Sequence, residues 1–99
     1  MVLEVYKITK VFPGEEKYCL VNQIRRSVIS ISSNIAEGYM KSRKDFIRYL
    51  DISRGSLEET KQHLILSYDL NYINKEQYQQ LFNLSEDVGK MLYGLRSSL

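Results

Sequence analysis

The chain has 99 residues, enough for one small domain over residues 1–99 and not for two. Its formal charge is only +2, so any case for an anionic partner must rest on clustered cations and not on bulk charge. One cysteine, Cys19, excludes an internal disulfide and a cysteine-based metal cluster. No long apolar run or signal-peptide pattern is present, which predicts a cytoplasmic protein that does not enter the membrane.

The helical periodicity in the first half of the chain is interrupted at Pro13–Gly14, the clearest break in the sequence. Apolar residues at helical spacing before it predict a first helix of about a dozen residues, which is short for a bundle. A heptad-like seam over residues 21–35 predicts a second helix from about Glu15 to Glu37. Gly38 then follows as the expected C-terminal cap residue.

The second half of the chain predicts two longer helices. Ser42 offers an N-cap, and the apolar spacing after it predicts a third helix from about Arg43 to Asp69 or Leu70. A short polar turn at residues 71–74 precedes the fourth helix, which Asn74 starts with Gln77 three residues later. No strand-like alternation competes with these patterns. The predicted fold is therefore all-α: an antiparallel up-down-up-down four-helix bundle with a short first helix.

Helices two to four also carry small or apolar residues on a second face, away from their seams. A helix that packs only inside its own bundle needs a single apolar stripe. One interpretation is a wide core with ordinary exposed apolar residues; the other is that these second faces meet another subunit. The residues concerned are Ile29, Ala36, Ile52, Gly55, Leu66, Phe82, Gly89 and Tyr93.

The polar pair Asn34 and Glu37 is a poor candidate for catalysis. A general acid or base needs a partner with a tuned pKa and a pocket, and the sequence supplies neither nearby. His63 has no spaced metal-ligating partner, and no glycine-rich phosphate motif exists. The sequence therefore predicts a protein that is not an enzyme and has no metal or cofactor.

Clustered cations are the stronger candidate for a site. Lys41, Lys44 and Arg48 share the outward side of the third helix, and Arg25 and Arg26 are adjacent on the second. Such clusters can neutralise phosphates in a salt-dependent way. The alternative is a solvated basic face balanced by Asp51, Glu58 and Glu59. The predicted nucleic-acid-binding residues are Arg25, Arg26, Lys41, Arg43, Lys44 and Arg48.

Four stretches carry a resemblance to a known family. They are residues 23–27 (QIRRS), 33–38 (SNIAEG), 46–50 (FIRYL) and 55–59 (GSLEE), and the similarity covers nearly all of the chain. The chain resembles the 23S rRNA intervening-sequence protein family of small bacterial four-helix bundles. That family in turn is similar to the accessory variability protein of diversity-generating retroelements, a pentameric ring that binds nucleic acid and a reverse transcriptase. The chain departs from the usual family pattern in its shorter first helix and in Ser32, where members often have proline.

The resemblance implies that the second faces are inter-subunit surfaces and that five copies close a homopentameric ring. It also implies a structural role for Asn34 and Glu37, with an arginine pairing across a helix contact. Repetition in a ring would strengthen the field of each basic cluster. The first functional hypothesis is a non-catalytic homo-oligomer that binds RNA or DNA. The second is an adaptor that docks a protein partner, such as a polymerase-type enzyme, through its apolar and tyrosine-rich faces.

Overall fold

A computed structural model describes residues 1–99 and contains four α-helices and no strand, which confirms the predicted all-α class. The helices are α1 (Val2–Thr9), α2 (Leu20–Tyr39), α3 (Arg43–Asp69) and α4 (Lys75–Ser97), with a 3₁₀ turn at Gly14–Glu16. The last two helices lie where the sequence predicted them. No helix is long and apolar enough to cross a membrane.

The start of α2 differs from its prediction by five residues. Glu15 and Glu16 belong to the 3₁₀ turn that follows Pro13, and Cys19 has a non-helical backbone just before Leu20. The Tyr72 hydroxyl donates a hydrogen bond of 2.7 Å to Glu16 Oε2, which ties this turn to the link between α3 and α4. The two acids that favoured a helix start therefore serve a separate turn.

Gly38 is not the cap residue that the sequence predicted. It is buried inside the last turn of α2, the helix continues to Tyr39, and no glycine of the chain has a positive φ. The sequence placed a left-handed cap there because glycine is common at that position. Here the glycine serves close packing instead, since a Cβ built on it would lie 2.5 Å from Tyr49 Cβ.

The left-handed cap lies instead at the end of α3. Asn71 has φ 62°, the amide of Tyr72 donates to the carbonyl of Ser67, and the amide of Asn71 donates to that of Tyr68. This pair of hydrogen bonds is the Schellman pattern. Three residues later, Asn74 accepts from the amide of Gln77 while the Gln77 side chain accepts from the amide of Asn74. This reciprocal pair of hydrogen bonds is a capping box, and α4 begins at the next residue, Lys75.

The core combines an apolar centre with a polar contact between α2 and α3. Its apolar side chains are those of Val5, Ile24, Val28, Ile31, Leu50, Leu57, Leu64, Leu81 and Leu92. A smaller cluster beside the 3₁₀ turn contains Phe12, Leu20, Val21 and Ile73. Most of the residues predicted for the seams are therefore buried, which explains why the four helices pack together.

A row of hydroxyl groups joins α2 to α3, and we call it the hydroxyl seam. Ser53 Oγ donates to the carbonyl of Ile31 at 2.6 Å, and Thr60 Oγ1 lies 2.8 Å from Ser27 Oγ. Between these two contacts, Ser56 Oγ lies 2.8 Å from Ser30 Oγ. The partners on α2 step backward along the chain as those on α3 step forward. Because serine and threonine side chains are small, the two helices can approach closely along this seam.

The residues of the predicted second faces lie mostly outside the core. Ile29, Ile52, Leu66 and Tyr93 are exposed, whereas Phe82 is half-buried and stacks on Tyr78 with ring centroids 5.8 Å apart. A Cβ on Gly55 would meet no atom within 4 Å, and one on Gly89 would make only ordinary contact with Leu57. Within one protomer, therefore, neither glycine is required by close packing.

Candidate nucleic-acid interface

The six predicted cations fall into two groups that are far apart. Arg25 and Arg26 lie in the first half of α2, whereas the other four surround the link between α2 and α3. Arg26 and Gly38 are twelve residues apart on α2, which is roughly 18 Å along the helix. We call the second group, Lys41, Arg43, Lys44 and Arg48, the turn cluster.

All four side chains of the turn cluster are exposed. Lys41 Nζ lies 3.9 Å from Glu37 Oε1, a marginal ion pair one helical turn away. Arg43, Lys44 and Arg48 form no ion pair at all within the chain. These three positive charges are therefore available to an external anion.

The backbone places Arg43 and Lys44 at an electrostatically unfavourable position. Ser42 caps α3 by accepting a hydrogen bond of 3.3 Å from the amide of Asp45, so Arg43 and Lys44 are the first two residues of the helix. The start of a helix carries a partial positive charge that disfavours cations. An anion bound there would relieve this repulsion and use the helix dipole at the same time.

Two of the three acids that were expected to balance the basic face, Asp51 and Glu58, pair with cations outside the turn cluster. Asp51 pairs with Arg96 of α4 at 2.8 Å, and Glu58 lies 3.4 Å from Lys61 Nζ. The hydrogen bond from Arg96 holds the pKa of the Asp51 carboxyl below its ordinary value. For Lys61, burial lowers the pKa, but the hydrogen bond and the charges of Glu58 and Glu86 outweigh burial and raise it. The turn cluster is thus left with Glu37 and Asp45 as its nearby acids in the chain.

Arg25 has a structural task that the sequence did not reveal. Its Nε donates to Thr9 Oγ1 at 2.9 Å, and its guanidinium carbon lies 4.3 Å from the centre of the Tyr6 ring. A second, longer contact of 3.4 Å joins Nη2 to the carbonyl of Tyr6. Arg25 therefore fastens α1 to α2, and its role in phosphate binding stays a prediction.

Arg25 lies beside two cations that are not among the predicted nucleic-acid-binding residues. Lys10, Lys17 and Arg25 all line a cavity of about 240 Å³ next to the Pro13 turn. Lys10 and Lys17 are seven residues apart in a stretch without regular periodicity, so spacing alone could not bring them together. The only signal was the Pro13–Gly14 break, which marks a reversal of the chain.

Arg26 belongs neither to the turn cluster nor to the cavity that Lys10, Lys17 and Arg25 line. It is exposed beside a wholly polar groove over the hydroxyl seam, which Ser30, Ser56 and Glu59 also line. The carboxylate of Glu59 in the same groove opposes an anionic ligand. The adjacency of Arg25 and Arg26 in sequence therefore does not produce a joint site.

The Asn34 and Glu37 side chains serve local structure. Asn34 Nδ2 donates to the carbonyl and to the hydroxyl of Ser30, at 2.8 and 2.9 Å. Within the protomer, the expected pairing of this stretch with an arginine across a helix contact is wrong, because the one ion pair of Glu37 is with Lys41 and Asn34 bonds to Ser30 of its own helix. Asn34 thus holds Ser30, a member of the hydroxyl seam, from within α2, and Glu37 remains exposed.

The other polar candidates form no site. His63 Nε2 lies 4.0 Å from Glu59 Oε2, and no group of three or more histidines, cysteines or acids is placed to hold a metal ion. Cys19 is exposed and lies just before α2. The turn cluster, whose four cations are all exposed, therefore remains the candidate site.

The protein is thus a small all-α protein with four helices and a basic link between α2 and α3. These features agree with the family that its sequence resembles. The chain belongs to the 23S rRNA-intervening sequence protein family, whose model matches residues 1–94. It is similar to a protein of unknown function from the S23 ribosomal protein family of Bacteroides thetaiotaomicron VPI-5482, whose crystal structure is known. The two chains are 32% identical with a TM-score of 0.83, over 96% of this chain and 87% of the other. A comparison with curated proteins found no match.

Proposed function

We propose that this chain is a non-catalytic cytoplasmic protein that binds the phosphate backbone of RNA or DNA through the turn cluster. The observation that carries the proposal is the placement of Arg43 and Lys44, unpaired and exposed, on the first turn of α3. Cations at this end of a helix reduce its stability, so folding does not account for them. Binding of an anion does. Membership of a family linked by name to 23S rRNA supports the same class of ligand.

The test is binding of a fluorescent oligonucleotide, followed by anisotropy over a range of salt concentrations. We expect affinity to fall steeply with salt, because each neutralised phosphate releases counterions. Replacing Arg43 and Lys44 together by alanine should weaken binding on the order of tenfold and flatten the salt dependence by about one unit of slope per lost contact. The matched control is Lys75→Ala with Lys90→Ala, which removes two exposed cations from α4. Undetectable binding at low salt, or equal losses in both double variants, would contradict the proposal.

We also propose that copies assemble through the second faces into a closed ring, for which the family resemblance implies five subunits, with the helices of each protomer alternating in direction. The exposed side chains of Ile29, Ile52, Leu66 and Tyr93 support this assembly, since burying them against another copy removes apolar surface from water. In a ring, the turn cluster would be repeated in every subunit.

Mass in solution tests the assembly. We expect a particle several times the 11.7 kDa of one chain. Ile52→Lys should shift it toward the monomer while the helical content remains, because Ile52 is exposed in the protomer. The control is Leu3→Lys, which adds the same charge at an exposed apolar position outside the second faces. A wild-type protein of monomer mass would exclude the ring.

A protein adaptor is the second candidate function. It is favoured by Tyr93, which has no aromatic or cationic neighbour of its own and leaves most of its ring open. Tyr93→Ser should weaken capture of a protein partner and leave oligonucleotide affinity unchanged. Capture of nucleic acid alone, insensitive to that substitution, counts against the adaptor.

A further inference from the structure

Two large apolar side chains are exposed at the end of α2, in the residues that precede the turn cluster in the chain. Tyr39 is 73% exposed and Met40 is 83% exposed, and both precede Lys41 in the chain. Open apolar surface of this kind is unfavourable in water unless a partner covers it. The surface combines these two side chains with unpaired cations, which restricts the chemistry of that partner.

The Tyr39 ring is held in place although it is exposed. It meets the ring of Phe46 edge to face, with centroids 6.1 Å apart and an interplanar angle of 89°. Its backbone is fixed because the neighbouring Gly38 packs against Tyr49. An edge-to-face contact occupies at most one face of a ring, so at least one face of Tyr39 remains free for stacking.

The cations that follow Tyr39 closely in the chain come from more than one element. Lys41 follows in the link, and the first turns of α3 supply Arg43, Lys44 and Arg48. The guanidinium carbon of Arg48 lies 5.1 Å from the centre of the Tyr49 ring, so cations and aromatic rings are interleaved here. The ligand that matches is therefore a flat unsaturated ring attached to negative charge.

An unpaired nucleotide offers both an open base ring and a charged phosphate, whereas a duplex offers only its phosphates. In a double helix the bases are stacked on each other, so a duplex would present its phosphates to the cations and no open base to Tyr39. Aromatic side chains in a basic groove are the usual means of holding single strands. We propose that Tyr39 stacks on an unpaired base while the turn cluster holds the adjoining phosphates, so that the ligand is single-stranded nucleic acid. This inference rests on the proposed function and narrows it.

The experiment compares a fluorescent single-stranded oligonucleotide with a duplex of the same sequence at one salt concentration. We expect the single strand to bind more tightly to the wild-type protein. Tyr39→Leu should weaken single-strand binding roughly 5- to 150-fold, the range for loss of one base stack, and leave duplex binding unchanged. Tyr39→Phe keeps the ring and should retain the wild-type affinity. Tyr39→Phe keeps the edge-to-face contact with Phe46 and should have the wild-type melting temperature, whereas Tyr39→Leu loses that contact and should melt slightly lower while staying folded at the assay temperature.

Each outcome separates this inference from the broader proposal. If the single strand and the duplex bind equally and Tyr39→Leu binds as the wild type does, stacking is excluded while phosphate binding stands. If Tyr39→Leu weakens both ligands alike, the ring contributes general contact and not stacking, which also overturns the inference. If neither ligand binds, the proposed function fails and the inference fails with it.

Discussion

Gly38 and Tyr49 bring α2 and α3 closer together than any residue with a side chain at position 38 would allow. A Cβ on Gly38 would lie 2.5 Å from Tyr49 Cβ and 3.0 Å from Phe46 Cδ1. The atom in the way is the Tyr49 Cβ, which is attached directly to the backbone and cannot rotate aside. The contact therefore fixes the distance between the two helices beside the turn cluster.

Gly38→Ala should destabilise the protein. Alanine improves helix propensity by roughly 0.5–1 kcal/mol, but overpacking at a fixed contact costs about 1–3 kcal/mol, so the free energy of unfolding should fall. Gly94→Ala is the control, because its added Cβ meets nothing within 4 Å and should raise stability by roughly 0.5–1 kcal/mol. Urea denaturation of both variants measures the difference, and a stabilised Gly38→Ala protein would refute the contact.

The two adjacent arginines of α2 should respond differently to substitution. Arg25→Ala removes the hydrogen bond to Thr9 and the contact with the Tyr6 ring, so we expect a loss of about 1–3 kcal/mol. Arg26→Ala removes an exposed side chain and should change stability by less than about 0.5 kcal/mol. Thermal melts of the two variants give the comparison. Equal stabilities would mean that Arg25 does not fasten α1.

The hydroxyl seam predicts a cost for an almost isosteric change. Thr60→Val puts a methyl group where Thr60 Oγ1 lies 2.8 Å from Ser27 Oγ, at a fully buried position. Leaving the Ser27 hydroxyl one partner short should lower stability by about 1–3 kcal/mol. Ser33→Ala removes an exposed hydroxyl that bonds only to the carbonyl of Ser30, and it should be nearly neutral. If denaturation shows Thr60→Val to be neutral as well, the seam contributes shape alone.

The Asp51–Arg96 ion pair predicts a pH dependence. The hydrogen bond from Arg96 lowers the pKa of Asp51 in the folded protein, so the stabilisation is present above the ordinary aspartate value of about 4. It is lost as the pH falls through the lower folded pKa. Asp51→Asn should therefore melt below the wild type at neutral pH, and the gap should close in acid.

Asp87→Asn is the control for that pH dependence, since the Asp87 carboxylate is exposed and makes no ion pair. It removes the same formal charge from the neighbouring helix without breaking a contact. Both ion-pair partners are largely exposed, so the expected shift in melting temperature is small and should shrink further with added salt. A gap for Asp51→Asn that persists unchanged into strong acid would contradict the assignment.

The bounds of α3 and α4 were predictable because their start signals are local. The side chains of Ser42 and Asn74 each accept a hydrogen bond from the amide three residues ahead. A signal of this kind lies within one turn of sequence and can be recognised there. The start of α2 was not, because Glu15 and Glu16 are typical of a helix start, and only the backbone set by Pro13 puts them in a separate turn. Local patterns thus located the two helix starts that side chains determine. They missed the start of α2, which depends on the backbone at Pro13, and the role of Gly38, which depends on packing between helices.

The candidate site was predictable only in part, since its organisation depends on contacts between elements. The turn cluster lies within residues 41–48, so counting charges along the sequence found it. The engagement of Arg25 by Thr9 and Tyr6 depends on how α1 packs, and the proximity of Lys10 to Arg25 depends on the Pro13 turn. Neither relationship has a periodicity that a single sequence displays.

The hydroxyl seam and the three-residue link between α2 and α3 also determine the order in which the molecule should open. Closing so short a link costs little chain entropy, so this helical hairpin is the natural first unit to fold and the last to come apart. The eight-residue α1 joins through a longer, irregular segment and is fastened by Arg25. Its amides should exchange with deuterated solvent well before those of the hairpin.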